Sequence, residues 1–454
     1  YQLIKALPDS YWKRVKQAEI EEVIQACMGL FVEAISEEYS ATRGQQITVQ
    51  TEVTNRAPVE LVLESVEMLP TGESKKLNQT IEYNMPAIED YEVQVPEDAD
   101  YTTPYWLRKD WELGMYTVED QQLRGLPETP RPFKIRFNFL VEGEPMSIER
   151  EIVHKHRDPV KAEVYRPFEI TPPVFTNIAD KAYIFSSDSP QTIDVVLKSG
   201  KAEVSGSVRL QHPDGWKVKP EAIDFELALK GEEKVVRFEL YPPEAQSEGQ
   251  IKAIATVNEE DYDQEVIVID YDHFPTQTVL SEANARVVNI DLKKAGNNVG
   301  YIMGAGDEIP ASLEQIGYDV TLLENGDITA ENLKQYDAVI LGVRAYNTID
   351  RLRFYQPQLM DYVKNGGTMI VQYNTTRGLK IPMEEIAPYP LQLSRDRVTV
   401  EEAEVRFLKP EHPVLNFPNK ITQKDFDGWV QERGLYFPDE WSNEFDAILS
   451  SNDP

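Results

Sequence analysis

The chain has 454 residues, of which 41% are hydrophobic and 10% aromatic, with 30 prolines; this excludes a disordered chain and is too long for one core, so roughly three domains are expected. Its 78 acidic against 46 basic residues give a formal charge of −32, which repels phosphate backbones and anionic lipid, argues against a nucleic-acid partner, and favours a neutral or cationic ligand. The single cysteine, Cys27, excludes an intrachain disulfide and a cysteine-rich zinc site, and no run of about 18 apolar residues is present to span a membrane.

The chain opens at Tyr1 without an initiator methionine or a signal-peptide pattern, so a processed product or a fragment is expected. Residues 1–29 read as a helical linker or the tail of a missing N-terminal domain. Val15, Ala18, Ile20, Val23, Ile24, Cys27 and Met28 recur near a 3.6-residue spacing, and Gly29 ends the pattern. So short an apolar stripe needs a separate surface to pack on.

From 30 to 157 the period becomes two. Gln46 to Val53, Val59 to Met68, Phe133 to Leu140 and Ser147 to Val153 alternate apolar and polar residues between turn clusters, as in an antiparallel β-sandwich. Between them lies YTTPYWLRKDWELGMY, with Tyr101, Tyr105, Trp106, Trp111 and Tyr116. These rings suit either a sugar-stacking surface or, as the plainer reading, a cap on the sandwich core. A second, Ig-like sandwich is expected over 158–273. Its strands run over Asp194 to Lys198, Ala202 to Leu210, Lys234 to Tyr241, Gln250 to Val257 and Gln264 to Asp270, with turns at Ser199-Gly200, Asp214-Gly215 and Lys230-Gly231.

Residues 274–454 return to helices. Three apolar strands, in VGYIMGAGDEIPASLEQIGYDVTLL, YDAVILGVRAYN and YVKNGGTMIVQYNTTRG, each run into a polar loop, and helices are expected at Ile309 to Ile316, Ala330 to Lys334 and Leu352 to Lys364. The fold class expected is therefore multidomain β plus α/β: two antiparallel β-sandwiches followed by a doubly wound, flavodoxin-like parallel sheet, truncated at its C-terminus. Ligands of such sheets bind at the carboxyl ends of the strands, here Gly304 to Asp307, Glu324 to Asp327, Arg344 to Asn347 and Gln372 to Arg377. None of these loops holds Cys, His or Ser, so no ordinary nucleophile stands at a strand end.

Gly304-Ala305-Gly306 with Glu324 imitates half of a dinucleotide site, but Ile309 stands at the third glycine position and would crowd the helix against the sheet. His212-Pro213-Asp214 is followed by Gly215 and Trp216 and reads as a turn. His154, His156 and Asp158 share a strand end but lack a convergent third ligand, so no metal site is assigned. The candidate ligand-binding residues are Arg344, Tyr346, Asn347, Asn374 and Arg377 at the strand ends, and Asp427, Trp429, Glu432 and Arg433 in DFDGWVQERGLYF, where Asp425 adds a further acid. The plainer reading of both groups is an internal ion and hydrogen-bond network.

This order of parts, with GYDVTLL, YDAVILGVRAYN, YVKNGGTMIVQYNT, EHPVLNFPNKIT and DFDGWVQERGLYF, resembles the C-terminal half of large secreted PIG-L (LmbE-like) deacetylases of Bacteroidetes-type bacteria. The resemblance implies a zinc-dependent N-acetylglucosamine-type deacetylase whose zinc domain lies outside these residues, with no cofactor in this segment. It also implies a periplasmic or extracellular location, a glycan or N-acetylated sugar as ligand and the missing catalytic domain as partner. The sheet domain is similar to class I glutamine amidotransferases of the ThuA-like branch. That family's nucleophilic Cys is replaced here by the turn Gln372, Tyr373 and Asn374. The function expected is a non-catalytic accessory region. Rival readings are a glycoside hydrolase, which needs two carboxylates about 5 to 10 Å apart, and a structural interaction scaffold.

Overall fold

The computed structural model describes residues 1–112, 114–428 and 434–453. It is mostly β, with several antiparallel or mixed sheets and a four-stranded parallel sheet. Two helices open the chain, α1 (Gln2–Lys5) and α2 (Tyr11–Met28). Ser10 caps α2 by accepting the Lys13 N–H, and Gly29 ends it in the left-handed region at φ 56°. Only part of the expected apolar stripe is used. Met28 is buried and Ile24 packs on the first core, whereas Ala18, Val23 and Cys27 face solvent.

The next strands are β1 (Phe31–Ser36), β2 (Ser40–Ala41), β3 (Gln46–Thr54), β4 (Leu61–Leu69), β5 (Ser74–Thr80), β6 (Pro86–Gln94), β7 (Lys134–Val141), β8 (Glu144–Glu151), β9 (Val153–Asp158), β10 (Ala162–Pro167) and β11 (Glu169–Ile170). They form one sheet of order β10-β9-β1-β3-β6, another of order β5-β4-β7-β8, and the short pair β11-β2. Val32, Val49 and Val93 from the first sheet share one hydrophobic cluster with Leu63, Phe137 and Ile148 from the second, as the two-residue alternation requires. The expected boundary at 157 falls inside the β9–β10 hairpin, whose pairing runs from Val153 opposite Pro167 to Asp158 opposite Ala162. A polar hairpin at a sheet edge carries little apolar signal, and for that reason β5, β6 and β10 were not legible.

A second cluster is built by β12 (Val174–Ile178), β13 (Ala182–Phe185), β14 (Gln191–Ser199), β15 (Val204–Gln211), β16 (Lys217–Lys219), β17 (Ile223–Leu227), β18 (Glu233–Tyr241), β19 (Ser247–Val257), β20 (Glu260–Tyr262), β21 (Gln264–Ile269), β22 (Gln277–Glu282) and β23 (Asn284–Asn289). The sheets run β12-β14-β18-β16 and β13-β23-β19-β15-β17, with β20 added on β19 and β21 paired to β22. Ile193, Val195 and Phe238 of one sheet meet Phe225, Ile251 and Val287 of the other. Strands β22 and β23 pair back onto this group, so the chain leaves it near Asn289 and not at 273.

The parallel sheet comprises β24 (Asn298–Ile302), β25 (Asp319–Leu322), β26 (Ala338–Leu341) and β27 (Thr368–Val371) in the order β25-β24-β26-β27. Its helices are α3 (Ile309–Gln315), α4 (Ala330–Leu333), α5 (Ala345–Thr348) and α6 (Leu352–Lys364). Leu313 of α3 packs with Val299 and Tyr301, while Leu352, Leu359 and Tyr362 of α6 pack with Ile302, Val339 and Leu341. Gln315 ties this group to the preceding one: its side chain accepts the Ile184 N–H at 2.9 Å and donates to Ala182 O at 3.2 Å. Short pairs follow, with β28 (Leu391–Leu393) on β30 (Pro438–Trp441) and β29 (Arg406–Phe407) on β31 (Leu449–Ser450). No helix among the described residues is long and apolar enough to cross a membrane.

Candidate functional site

At the carboxyl ends of the parallel strands the chain satisfies itself. Tyr301, wholly buried on β24, donates its hydroxyl to Asp307 Oδ1 at 2.6 Å and accepts the Gln372 side-chain amide at 2.7 Å. Asp307 also accepts the Ile309 N–H at 3.1 Å and the Val343 N–H at 3.3 Å. Burial and the Asp307 carboxylate together push the Tyr301 phenol well above its usual range. The crevice between β24 and β26, where strand order reverses, is thus bridged by the protein's own side chains.

The glycine loop offers no phosphate cradle. The Ala305 N–H donates to Val343 O at 2.7 Å, and a Cβ on Gly304 would lie 2.1 Å from that same oxygen. Helix α3 has only 7 residues, so its dipole is weak. Ile309, expected to block the site by crowding the sheet, is instead 40% exposed. Within the loop it is the Ala305 N–H, spent on Val343 O, that is withdrawn from a ligand.

The candidate residues on the next two loops divide sharply. Tyr346, Asn347 and Asn374 are buried and structural. Asn374 Oδ1 accepts the Tyr346 N–H at 3.1 Å, the Tyr346 hydroxyl donates to Gln356 Oε1 at 3.0 Å, and Asn347 donates to both Thr375 O and Arg377 O at 3.1 Å while accepting the Thr375 N–H at 2.9 Å. Burial pushes the Tyr346 phenol up to about 12. Arg344 and Arg377 are exposed, and neither forms an ion pair among the described residues. Arg344 is held in the left-handed region, φ 57° and ψ 28°, with its N–H donated to Tyr373 O at 2.9 Å. That conformation costs a non-glycine residue about 1 kcal/mol or more.

Beside these loops lies an open cavity of about 1020 Å³. Val371, Gln372, Tyr373 and Asn374 line one side, Leu391 and Leu393 of β28 another, and Gly434 to Pro438 a third. The rings of Tyr373 and Tyr436 stand 6.2 Å apart and nearly parallel, at 18°. Among the described residues β27 pairs only with β26, which leaves its other edge toward this space. Among the described residues no charged side chain lines the cavity. A neighbouring cavity of about 650 Å³ carries Glu402, Glu404 and Asp427 on its wall, with Asp427 exposed. Asp425 accepts the Thr422 N–H at 2.6 Å and so caps a helical turn. Trp429, Glu432 and Arg433 lie outside the described residues.

Sequence reasoning missed Tyr301, Tyr436 and Asp307 as organisers of this region. A signal existed for Tyr301: a phenol in a strand apolar on both faces must find a buried partner. The aromatic run of the first β region is split. Tyr105 is buried with its hydroxyl on Leu126 O and its ring against Trp106, while Trp111 and Tyr116 are largely exposed. His154 and His156 stack at 5.7 Å rather than converging, and no group of three or more His, Cys, Asp or Glu among the described residues is placed to hold a metal.

No protein-family model and no curated protein matches this chain. Among solved structures it is similar to the native conformation of alpha-2-macroglobulin from E. coli, at 10% identity and a TM-score of 0.20, over 57% of this chain. It is likewise similar to a Salmonella alpha-2-macroglobulin point mutant, at 7% identity and a TM-score of 0.18, again over 57% of this chain. The chain spans 16% of the length of each, and at these scores the likeness carries no statement about fold or function.

Proposed function

We propose that this chain is a non-catalytic recognition region, accessory to a zinc-dependent N-acetylglucosamine-type deacetylase of the PIG-L kind in a periplasmic or extracellular setting. The architecture inferred is two mainly antiparallel sandwiches, each with one parallel strand pair, β1–β9 and β13–β23, followed by a flavodoxin-like, doubly wound domain. The strand order β25-β24-β26-β27, with helices on both faces, supports the latter. The observation that carries the functional reading is the bridging of the crevice between β24 and β26 by Tyr301, Asp307 and Gln372, whose polar groups are spent on one another.

What stays accessible is suited to binding. The Tyr373 and Tyr436 rings offer flat apolar faces to the C–H face of a sugar, and Arg344 and Arg377 are donors on the adjoining loops, unpaired among the described residues. The direct test is calorimetric titration and glycan-array binding of the full chain with N-acetylated oligosaccharides. Binding should weaken at least about tenfold in Tyr373→Ala or Arg344→Ala, a loss of about 1.4 kcal/mol. Absence of binding to any sugar would remove the ligand and leave a structural scaffold.

A glycoside hydrolase remains the second reading, favoured by one feature: Asp427, Glu402 and Glu404 share the wall of one cavity. Turnover of a glycan by the full chain, abolished in Asp427→Asn, would establish it in place of the recognition role.

A further inference from the structure

Where the chain passes from the first hydrophobic cluster to the second, it buries a carboxylate. Glu169 is 3% exposed and lies on β11, which pairs in parallel with β2. The Glu169 N–H donates to Tyr39 O and the Thr171 N–H to Ala41 O, both at 2.9 Å. Thr102 closes the other side: its N–H donates to Ile170 O at 2.9 Å, and its hydroxyl bonds both the C=O and the N–H of Ile170.

The charges facing Glu169 do not balance. Arg131 Nη1 stands 3.6 Å from Glu169 Oε1, but the same guanidinium holds Glu128 closer, at 2.7 Å. Arg166 of β10 is the other nearby cation. Its guanidinium lies 3.9 Å over the Tyr39 ring, and its Nε is buried without a hydrogen-bond partner among the described residues. Lys230, from the turn before β18, comes within 4.6 Å of the same ring, donates to Ser40 O at 2.6 Å and pairs with Glu38 at 3.0 Å. The ring of Tyr39 and the β2–β11 pair therefore join the two regions around one carboxylate that must share its cation. An ionised carboxylate so placed is expensive, and a protonated one is not.

We propose that this joint is a proton-operated latch: protonated Glu169 keeps β11 on β2 and Lys230 on Ser40, and loss of the proton loosens that seam. Burial, opposed by Arg131, the Thr102 hydroxyl and Arg166, pushes the Glu169 carboxyl up from 4.5 to about 7. Because the folded state holds this proton more tightly, the seam is tightest at acid pH and weakens as pH rises toward 7.

Hydrogen exchange of the full chain at about pH 5 and about pH 8, each corrected for the intrinsic rate, tests this. Peptides covering Tyr39 to Thr42 and Glu169 to Thr171 should exchange at least about tenfold faster relative to intrinsic at the higher pH, whereas peptides of β14 and β18 should not differ. Glu169→Gln, which mimics the protonated group, should abolish the difference. Glu128→Gln releases Arg131 to Glu169 and should move the transition to lower pH. A pH difference that persists in Glu169→Gln, or a transition that does not move in Glu128→Gln, overturns the latch.

Discussion

Two carboxylates inside this molecule meet opposite circumstances. Asp307 receives a phenol and two backbone N–H groups, so its lone pairs are occupied by donors that carry no competing obligation. Glu169 receives the Thr102 hydroxyl, itself bonded to Ile170, and part of one guanidinium that is already held by Glu128. The first carboxylate bridges a strand-end crevice, and the second makes a seam that depends on a proton. Asp307 is only partly buried and Glu169 almost wholly so; burial raises the Glu169 carboxyl, and the donors aimed at each acid, and whether they are shared, set how far that cost is offset.

The comparison can be broken most forcefully at the strand ends. Gly304→Ala places a Cβ 2.1 Å from Val343 O, where backbone must move, so urea unfolding should show a loss of about 3 to 4 kcal/mol or failure to fold. Next comes the pH dependence of the seam. With the Glu169 carboxyl at about 7 when folded against 4.5 when unfolded, its contribution is full below about pH 4.5 and is lost as pH rises to about 7, a change of about 3 kcal/mol. Chemical denaturation of the wild type and of Glu169→Gln across that range should diverge by this amount.

Asp307→Ala should cost about 2 kcal/mol, because it strands the Tyr301 hydroxyl and the Val343 N–H in the crevice. Unlike Glu169→Gln, it should leave the hydrogen exchange of β11 unchanged. The smallest effect on stability is expected at Arg344. Arg344→Gly relieves a left-handed φ of 57° and should raise stability by up to about 1 kcal/mol while weakening glycan binding. A gain in stability with unchanged binding would assign Arg344 a structural role alone.

Much of the secondary structure was readable. Strict alternation in QITVQTEV and a buried run such as AVIL leave little choice of element, and Gly29 marks its helix end by a left-handed φ. The site was less readable because polarity in a loop does not reveal its partner. Asn347 and Asn374 look like ligand groups in the sequence, yet each spends its amide on backbone within the same pair of loops. Arg344 and Arg377, of similar appearance, form no side-chain hydrogen bond or ion pair among the described residues.

The sequence by itself determined the succession of β and α/β regions, the lack of a nucleophile after the parallel strands, and a charge hostile to nucleic acid. These follow from local periodicity, residue identity and a sum, none of which depends on distant contacts. Only the tertiary structure decided that Asp307 reaches Tyr301 and Val343, that β10 and β23 extend their sheets past the expected boundaries, and that Arg131 is shared between Glu128 and Glu169. Each of those is a matter of which donor meets which acceptor across many residues of chain, and that geometry exists only once the sheets have packed.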